Sequence, residues 1–293
     1  MKYTPKEITE EVNVTPTHPL QEFGYLLGTV VGVALGIYIG LGFAVEWVAP
    51  RVSQDTEIKI GNALVTPTLN QLGGKSLLED SRHPYLETLL NELWATETGD
   101  KVPLTLHLVD SSLVNAAALA GGHIFVTTGF LEAIETENEL TFVLAHELGH
   151  LLARDSLKAL GRRLVLIVSA SALNLGTSGT SGSPGIIFQA LNLKELDYSR
   201  DQENAADNYG LALTIQRYGH GGGSLGFFER LNQTEDFGIK LPPVSEYFLT
   251  HPLTENRITE LNKIATQKNW LMIGETTPLP VGINCPNFQC EEP

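Results

Sequence analysis

The sequence predicts a mainly helical α+β domain with a small sheet, carried by one helix long enough to cross a membrane. Three observations predict this. The run from Phe23 to Val45 holds no charged residue. Apolar residues recur at three and four spacing in several later segments, most densely in TFVLAHELGHLLA. Three short strand-like stretches lie between two of these helical segments.

The apolar run is 23 residues, FGYLLGTVVGVALGIYIGLGFAV, and would extend roughly 34 Å as a helix. A hydrocarbon core is about 30 Å thick. Glu46, Trp47, Pro50 and Arg51 follow as an interfacial border. Gly24, Gly28, Gly32, Gly36 and Gly40 recur at every fourth position and draw a smooth stripe that suits a close partner helix, in a homo-oligomer for example. In a soluble helix, five glycines would cost several kcal/mol, about 1 each. A cleaved signal peptide fits poorly, because the run starts late and follows Glu7, Glu10, Glu11 and Glu22. A single-pass protein in contact with a lipid bilayer is therefore expected. Lys2 and Lys6 before the span balance Arg51 and Lys59 after it, so basic residues leave its orientation undecided.

The chain of 293 residues is long enough for one or two domains with a substantial core. With 42% apolar and 18% charged residues, it is not a disordered chain. A net charge of -15 argues against a sequence-independent nucleic-acid binder, which needs Lys and Arg to displace counterions. Two cysteines, Cys285 and Cys290, are too few for a four-thiolate zinc site. They either close a small loop in an oxidising compartment or remain thiols in a tail. The first option favours a main domain outside the cytoplasm.

The expected organisation is a flexible tail over 1–22, the membrane helix over 23–49, a linker or hairpin over 50–75, the main domain over 76–270 and a Pro-rich tail over 271–293. Within the main domain, His83 to Thr98 reads as a helix with Leu86, Leu89, Leu90 and Leu93 on one side. Val102–Val109, Asn115–Leu119 and His123–Thr127 read as strands, the last two joined at Gly121-Gly122. A helix from Glu137 to Arg154 begins with the capping-box spacing of Thr136 and Glu139. Leu164–Leu175 is apolar but too short to span, and suits a core helix, a membrane-dipping segment or a partner for the glycine stripe. Gly176–Gly185 reads as a loop by composition. Helices are expected again over Leu193–Tyr218, ended by Gly219, and over Glu255–Lys268.

The chemistry is concentrated in His146-Glu147-Leu148-Gly149-His150. On a helix, positions 146 and 150 lie one turn apart, so both imidazoles project from one face and can grip one zinc ion. Glu147 is placed to hold a water at that ion and take its proton. A third ligand is needed, and the second long helix offers Glu203 as a candidate. Asp207, on the same face, is placed to fix the tautomer of a ligand histidine. The small pair Ala205-Ala206 suggests that this helix packs closely on another.

HELGH followed by ENAAD within YSRDQENAAD resembles a family of membrane-associated zinc metallopeptidases. It includes the CaaX prenyl proteases, a bacterial heat-shock membrane protease and a mitochondrial quality-control protease. Val114-Asn115-Ala116, GGHIFV from Gly121, Thr250-His251-Pro252 and Arg257 extend the resemblance over about residues 80–265. It implies a zincin-like domain with a small sheet beside the HExxH helix, zinc held by His146, His150 and Glu203, and Glu147 as catalytic base. It also implies that Asn115, Ala116, Ala117 and Ala118 border the cleft and pair with an extended peptide. With one confident span, the chain is closest to the single-anchor branch, which implies a quality-control endopeptidase acting on misfolded membrane or envelope polypeptides. The alternative is a zinc-binding chaperone or assembly factor with a capped or incidental protease site.

His251 stabilises the developing oxyanion, caps the metal in a resting state, or merely shapes a turn. Arg257 pairs with a carboxylate of the site or with a surface acid. His18, His83, His107, His123 and His220 are expected to be structural or solvated.

Overall fold

The computed structural model describes residues 18–99, 101–172, 198–230, 251 and 255–285. Residues 1–17 of the expected tail, the 176–185 loop, the ends of two expected segments at 173–175 and 193–197, and Cys290 lie outside the described residues.

Helix α1, Pro19–Val48, starts on a proline at its first turn and buries none of its residues. Its 30 residues extend about 45 Å. Leu26, Val30, Val33, Ile37 and Phe43 are all exposed along it. An apolar surface of this extent is not left in water by a soluble monomer. By length and composition this helix can cross a membrane. A short 3-10 turn at Ala49–Arg51 then leads to α2, Gln54–Gln71.

Helix α2 corrects the expectation of a linker or hairpin over 50–75. Ser53 caps it, accepting from the Thr56 amide. Gly61, Leu64 and Thr68 are buried along one face, at the spacing that a helix needs. Pro67 sits inside the helix and, with the polar composition, masked that face in the sequence. The packing explains Gly61: a Cβ there would lie 2.0 Å from the Ala120 carbonyl oxygen.

Helix α3, His83–Ala95, covers one side of a three-stranded sheet. The strands are β1 (Thr105–Val109), β2 (Ala116–Leu119) and β3 (His123–Thr127), in the order β1-β3-β2. β3 runs parallel to β1, with Thr105 opposite His123, and antiparallel to β2, with Leu119 opposite His123. The turn between β2 and β3 needs glycine, because Gly121 and Gly122 have φ of +79° and +87° and both lie against neighbouring backbone. β2 is an edge strand and contacts the HExxH helix.

After the short α4, Thr128–Ala133, that helix is α5, Glu137–Leu152. Thr136 caps it through the Glu139 amide at 3.2 Å. All of its residues except Leu152 are buried, which is why its apolar pattern runs all round. Burying Phe142, Leu144 and Leu148 contributes roughly 1.5–3 kcal/mol each and helps to offset the cost of the polar groups beside them. Arg154, with φ of 55°, breaks the helix, and α6 (Asp155–Ala172) leaves at a new angle. α6 packs on the end of α1, where Gly161 faces Val45, while no atom lies within 4 Å of a Cβ built at Gly24, Gly28, Gly32, Gly36 or Gly40. Among the described residues, then, α6 is not the partner of the glycine stripe.

Helix α7, Arg200–Tyr218, lies across α5 in the most extensive helix contact of the domain. Gly149 meets the Ala206 Cα, and Gly210 meets the His146 amide and the Phe142 carbonyl. Small residues on both helices thus bring two backbones together. Gly219 ends α7 in a left-handed conformation with φ of 79°. Helix α8, Glu255–Gln267, packs on α7. The expected C-terminal tail is corrected in part: Met272, Leu279 and Ile283 join the core, and the Glu137 amide donates to the Thr277 carbonyl. Cys285 is buried and disulfide-bonded.

Candidate metal centre

Helix α5 projects His146 and His150 from one face, as two residues one turn apart must be. Their Nε2 atoms lie 3.1 Å apart. α7 brings Glu203 to them, with Oε1 at 3.4 Å from His150 Nε2 and Oε2 at 3.7 Å from His146 Nε2. His251 completes the group: its Nδ1 is 3.3 Å from His146 Nε2 and 3.1 Å from Glu203 Oε1. These four ligand atoms lie within 4.8 Å of one another, and all four residues are buried. Ligands at about 2.0–2.1 Å around a tetrahedral zinc are separated by about 3.3 Å, which is the spacing found here.

The outer ring nitrogens explain why the inner ones converge. His146 Nδ1 lies 3.0 Å from Asp207 Oδ1, and His150 Nδ1 lies 3.0 Å from Asp155 Oδ2. A carboxylate 3.0 Å from each Nδ1 favours the neutral tautomer with its proton there, the form in which both Nε2 lone pairs can turn to one ion. In that form, two lone pairs 3.1 Å apart repel unless a proton or a metal cation lies between them. The charge count agrees. Glu147, Glu203, Asp207 and Asp155 surround the histidines, and among the described residues Arg257 and Lys158 are the cations paired with them. With both imidazoles neutral, as metal ligands must be, two negative charges are in surplus, which fits a divalent ion. The residues therefore fit zinc.

Burial pushes the His146 pKa down. Burial opposes the charged form of His150 too, but Asp155 and Glu203 outweigh it and push that pKa up to about 9. Burial alone would raise Glu203; His251 and His150 beside it hold its carboxyl well below the usual range instead. Asp207 is likewise held low against burial by Arg257 and His146. Arg257 grips Asp207 with two bonds, Nε to Oδ2 at 2.8 Å and Nη2 to Oδ1 at 2.7 Å. Its Nη1 lies 2.9 Å from Glu203 Oε2. Arg257 thus stands against two carboxylates of the site.

Glu147 reaches across to the sheet. Its Oε2 accepts from the Ala118 amide at 2.8 Å, while Oε1 makes no hydrogen bond among the described residues and lies 3.3 Å from His251 Nε2. Asn115, Ala116, Ala117 and Ala118 are buried on or beside edge strand β2, and Asn115 Oδ1 has no hydrogen-bond partner among the described residues.

Two members of the site were missed in the sequence. Asp155 follows His150 by five residues, but the left-handed Arg154 lies between them, so helical spacing does not relate them. Tyr198 stacks on His150 at 4.2 Å between ring centres. Burial and the nearby Glu147 carboxylate keep its phenol protonated well above its usual pKa. Its signal was its place just before the Ser199 cap of α7. Of the other histidines, His107 and His123 contact each other on β1 and β3, His83 lies 3.9 Å from Glu87, and His220 accepts from the Gly222 amide.

The profile of peptidase family M48 matches residues 80–265. Metalloendopeptidase OMA1, mitochondrial, of Danio rerio is 28% identical over 229 residues, covering 73% of this chain and 45% of the relative. Mitochondrial metalloendopeptidase OMA1 of Schizosaccharomyces pombe is 29% identical over 217 residues, covering 72% and 62%. The beta-barrel assembly-enhancing protease of Yersinia pestis is 28% identical over 201 residues, covering 62% and 39%. The matches thus span from two fifths to three fifths of these relatives' lengths.

Proposed function

The chain belongs to peptidase family M48, and from that premise we propose that it is a membrane-anchored zinc-dependent endopeptidase. One observation carries the reading: His146, His150, Glu203 and His251 aim ligand atoms at one buried point, with the Glu147 carboxylate beside it. His146, His150 and Glu203 would hold the ion. When bound, zinc supplies a Lewis acid for the scissile carbonyl and lowers the pKa of water to about 7.

The remaining work falls to the chain's own residues. Glu147 accepts a proton from the attacking water as its oxygen bonds to the carbonyl carbon. It returns that proton to the amine when the carbon–nitrogen bond breaks. Asp207 and Asp155 hold the two ligand imidazoles in one tautomer. Arg257 keeps Asp207 and Glu203 ionised in a buried place. An extended substrate would add along the edge of β2, over Asn115 to Ala118, beside Glu147. Replacing Glu147 with Gln tests the assignment: zinc stays bound and hydrolysis of unfolded casein disappears. Undiminished hydrolysis would refute it.

A second reading has a specific observation behind it. His251 Nδ1 stands where a water or carbonyl oxygen would have to enter, so His251 serves as a cap in a resting site or swings out to face the oxyanion. A permanently capped centre would make the protein a zinc-binding chaperone or assembly factor. Cleavage by His251→Ala decides between them: a rise marks a cap, and a fall marks a catalytic group.

The domain over 76–270 would be tethered to the bilayer through 23–49 and act on misfolded membrane or envelope polypeptides. The bonded state of Cys285 supports a compartment outside the cytoplasm, which protease accessibility in intact cells tests. The open glycine stripe suits a second copy of the helix. Crosslinked oligomers should be lost in Gly32→Leu.

A further inference from the structure

We propose that Glu46, at the exit of α1, is a positioning residue for the metal centre. It acts on His150 through Arg162, Lys158, Gln202 and Asp155, so that the seating of the membrane helix on the domain sets one ligand's orientation. The proposal rests on the metal-centre reading above.

The connections are short and run without a gap. Asp155 Oδ2 lies 3.0 Å from His150 Nδ1, the nitrogen facing away from the converging ligands. Asp155 Oδ1 accepts from Gln202 Nε2 at 2.6 Å and from Lys158 Nζ at 3.2 Å. Gln202 has no freedom to turn its amide over, because its Oε1 already accepts from the Ser199 amide at 3.0 Å in the capping box of α7. The same Oε1 faces Arg162 Nη2 at 3.4 Å, and Arg162 Nη1 donates to Glu46 Oε1 at 2.7 Å. A second, looser route passes through Lys158, whose Nζ is 3.9 Å from Glu46 Oε2.

Among the described residues, α1 meets the domain through α6 at this end. A Cβ at Gly161 would come within 2.7 Å of the Val45 side chain, so glycine is what lets α6 lie against α1 here. One residue before Asp155, Arg154 donates from Nη1 to the carbonyls of Ala49, Pro50 and Val52, and its Nε pairs with Glu57 at 3.0 Å. The turn that leaves the membrane helix is therefore gripped by the corner that carries the orienting carboxylate. A change in how α1 sits thus has a direct route to Asp155.

The test is the zinc affinity of the full chain in detergent, measured by competition with a chromophoric chelator. Glu46→Gln should weaken zinc binding about two- to fivefold, the range of a partly exposed ion pair acting on a metal ligand through intervening side chains. Glu22→Gln, at the other end of the same helix, should leave the affinity unchanged. Arg162→Gln should weaken it as well, and the double variant should fall short of the sum of the two losses, because Arg162 lies on the tighter of the routes that start at Glu46. The metal-free melting midpoint of Glu46→Gln should match wild type. Unchanged affinity in Glu46→Gln, additive losses in the double variant, an equal loss in Glu22→Gln, or a matching fall in the metal-free midpoint would each overturn the proposal. A wild-type chain that binds no zinc would overturn the metal centre itself, a result distinct from these.

Discussion

Two pairs of histidines sit in this domain with nearly the same spacing and opposite chemistry. His146 and His150 have nitrogens 3.1 Å apart, and His107 and His123 have nitrogens 3.0 Å apart. In the first pair each outer nitrogen faces a carboxylate, Asp207 or Asp155. With both rings neutral, the two inner nitrogens can face one cation together. In the second pair no carboxylate lies behind either ring among the described residues. One ring donates and the other accepts, and His107 stacks on Phe125 at 4.5 Å. Burial pushes the His107 pKa down to about 4, aided by His123, so this pair stays neutral. What distinguishes a metal centre from a packed pair is thus the anion behind the ring, not the closeness of the imidazoles.

The largest effect expected from this comparison is at Glu147, the carboxylate that faces the centre without serving in it as a ligand. Glu147→Gln should lower casein hydrolysis by about 10²- to 10⁴-fold, with zinc content by elemental analysis unchanged. Next are the carboxylates behind the rings. Asp207→Asn and Asp155→Asn should each weaken zinc affinity by about 10- to 100-fold, measured by chelator competition. Wild-type affinity in both would break the comparison, because the two histidine pairs would then differ in nothing that matters.

Metal removal should also destabilise the fold. At zinc about 100 to 1,000 times the dissociation constant, chelation should cost about 3–4 kcal/mol, read as a fall in melting midpoint. Glu203→Ala should abolish that response, whereas His123→Gln should keep it in full.

The smallest effect concerns the neutral pair. The folded pKa of His107, about 4, lies below the ordinary value of 6.5, so the unfolded chain takes the proton first as pH falls. Its contribution to stability is whole above pH 6.5 and is lost progressively towards pH 4. His107→Gln should flatten the pH dependence of the melting midpoint in that window and leave zinc affinity unchanged.

How far each part could be read depended on whether its signal was local. HELGH points to two candidate ligands and a candidate base because one helical turn relates them. Glu203 and Asp207 share a face for the same reason, four residues apart on α7. The Thr136 cap, the Gly219 stop and the strand hairpin at Gly121-Gly122 were equally local. Asp155 was not legible, because the left-handed Arg154 breaks the register between it and His150. Gln202 belongs to the Ser199 capping box, and its other amide atom meets Asp155, relations that only the fold reveals. The α2 segment looked like a linker, because its buried face consists of Gly61, Leu64 and Thr68 and carries little hydrophobic contrast.

The sequence by itself determined that a long uncharged helix precedes the domain, that two histidines share a helical face with a glutamate between them, and that an acidic pair recurs on a later helix. Each follows from the fixed geometry of a single helix. Only the tertiary structure decided which carboxylate stands behind which imidazole, that His251 enters the ligand group from a distant stretch of chain, and that the exit of α1 is tied to Asp155. Those relations join residues up to 116 positions apart, as with Glu46 and Arg162. They arise from helix packing permitted by small residues such as Gly149, Ala206 and Gly161, whose role shows only when two backbones are placed against each other.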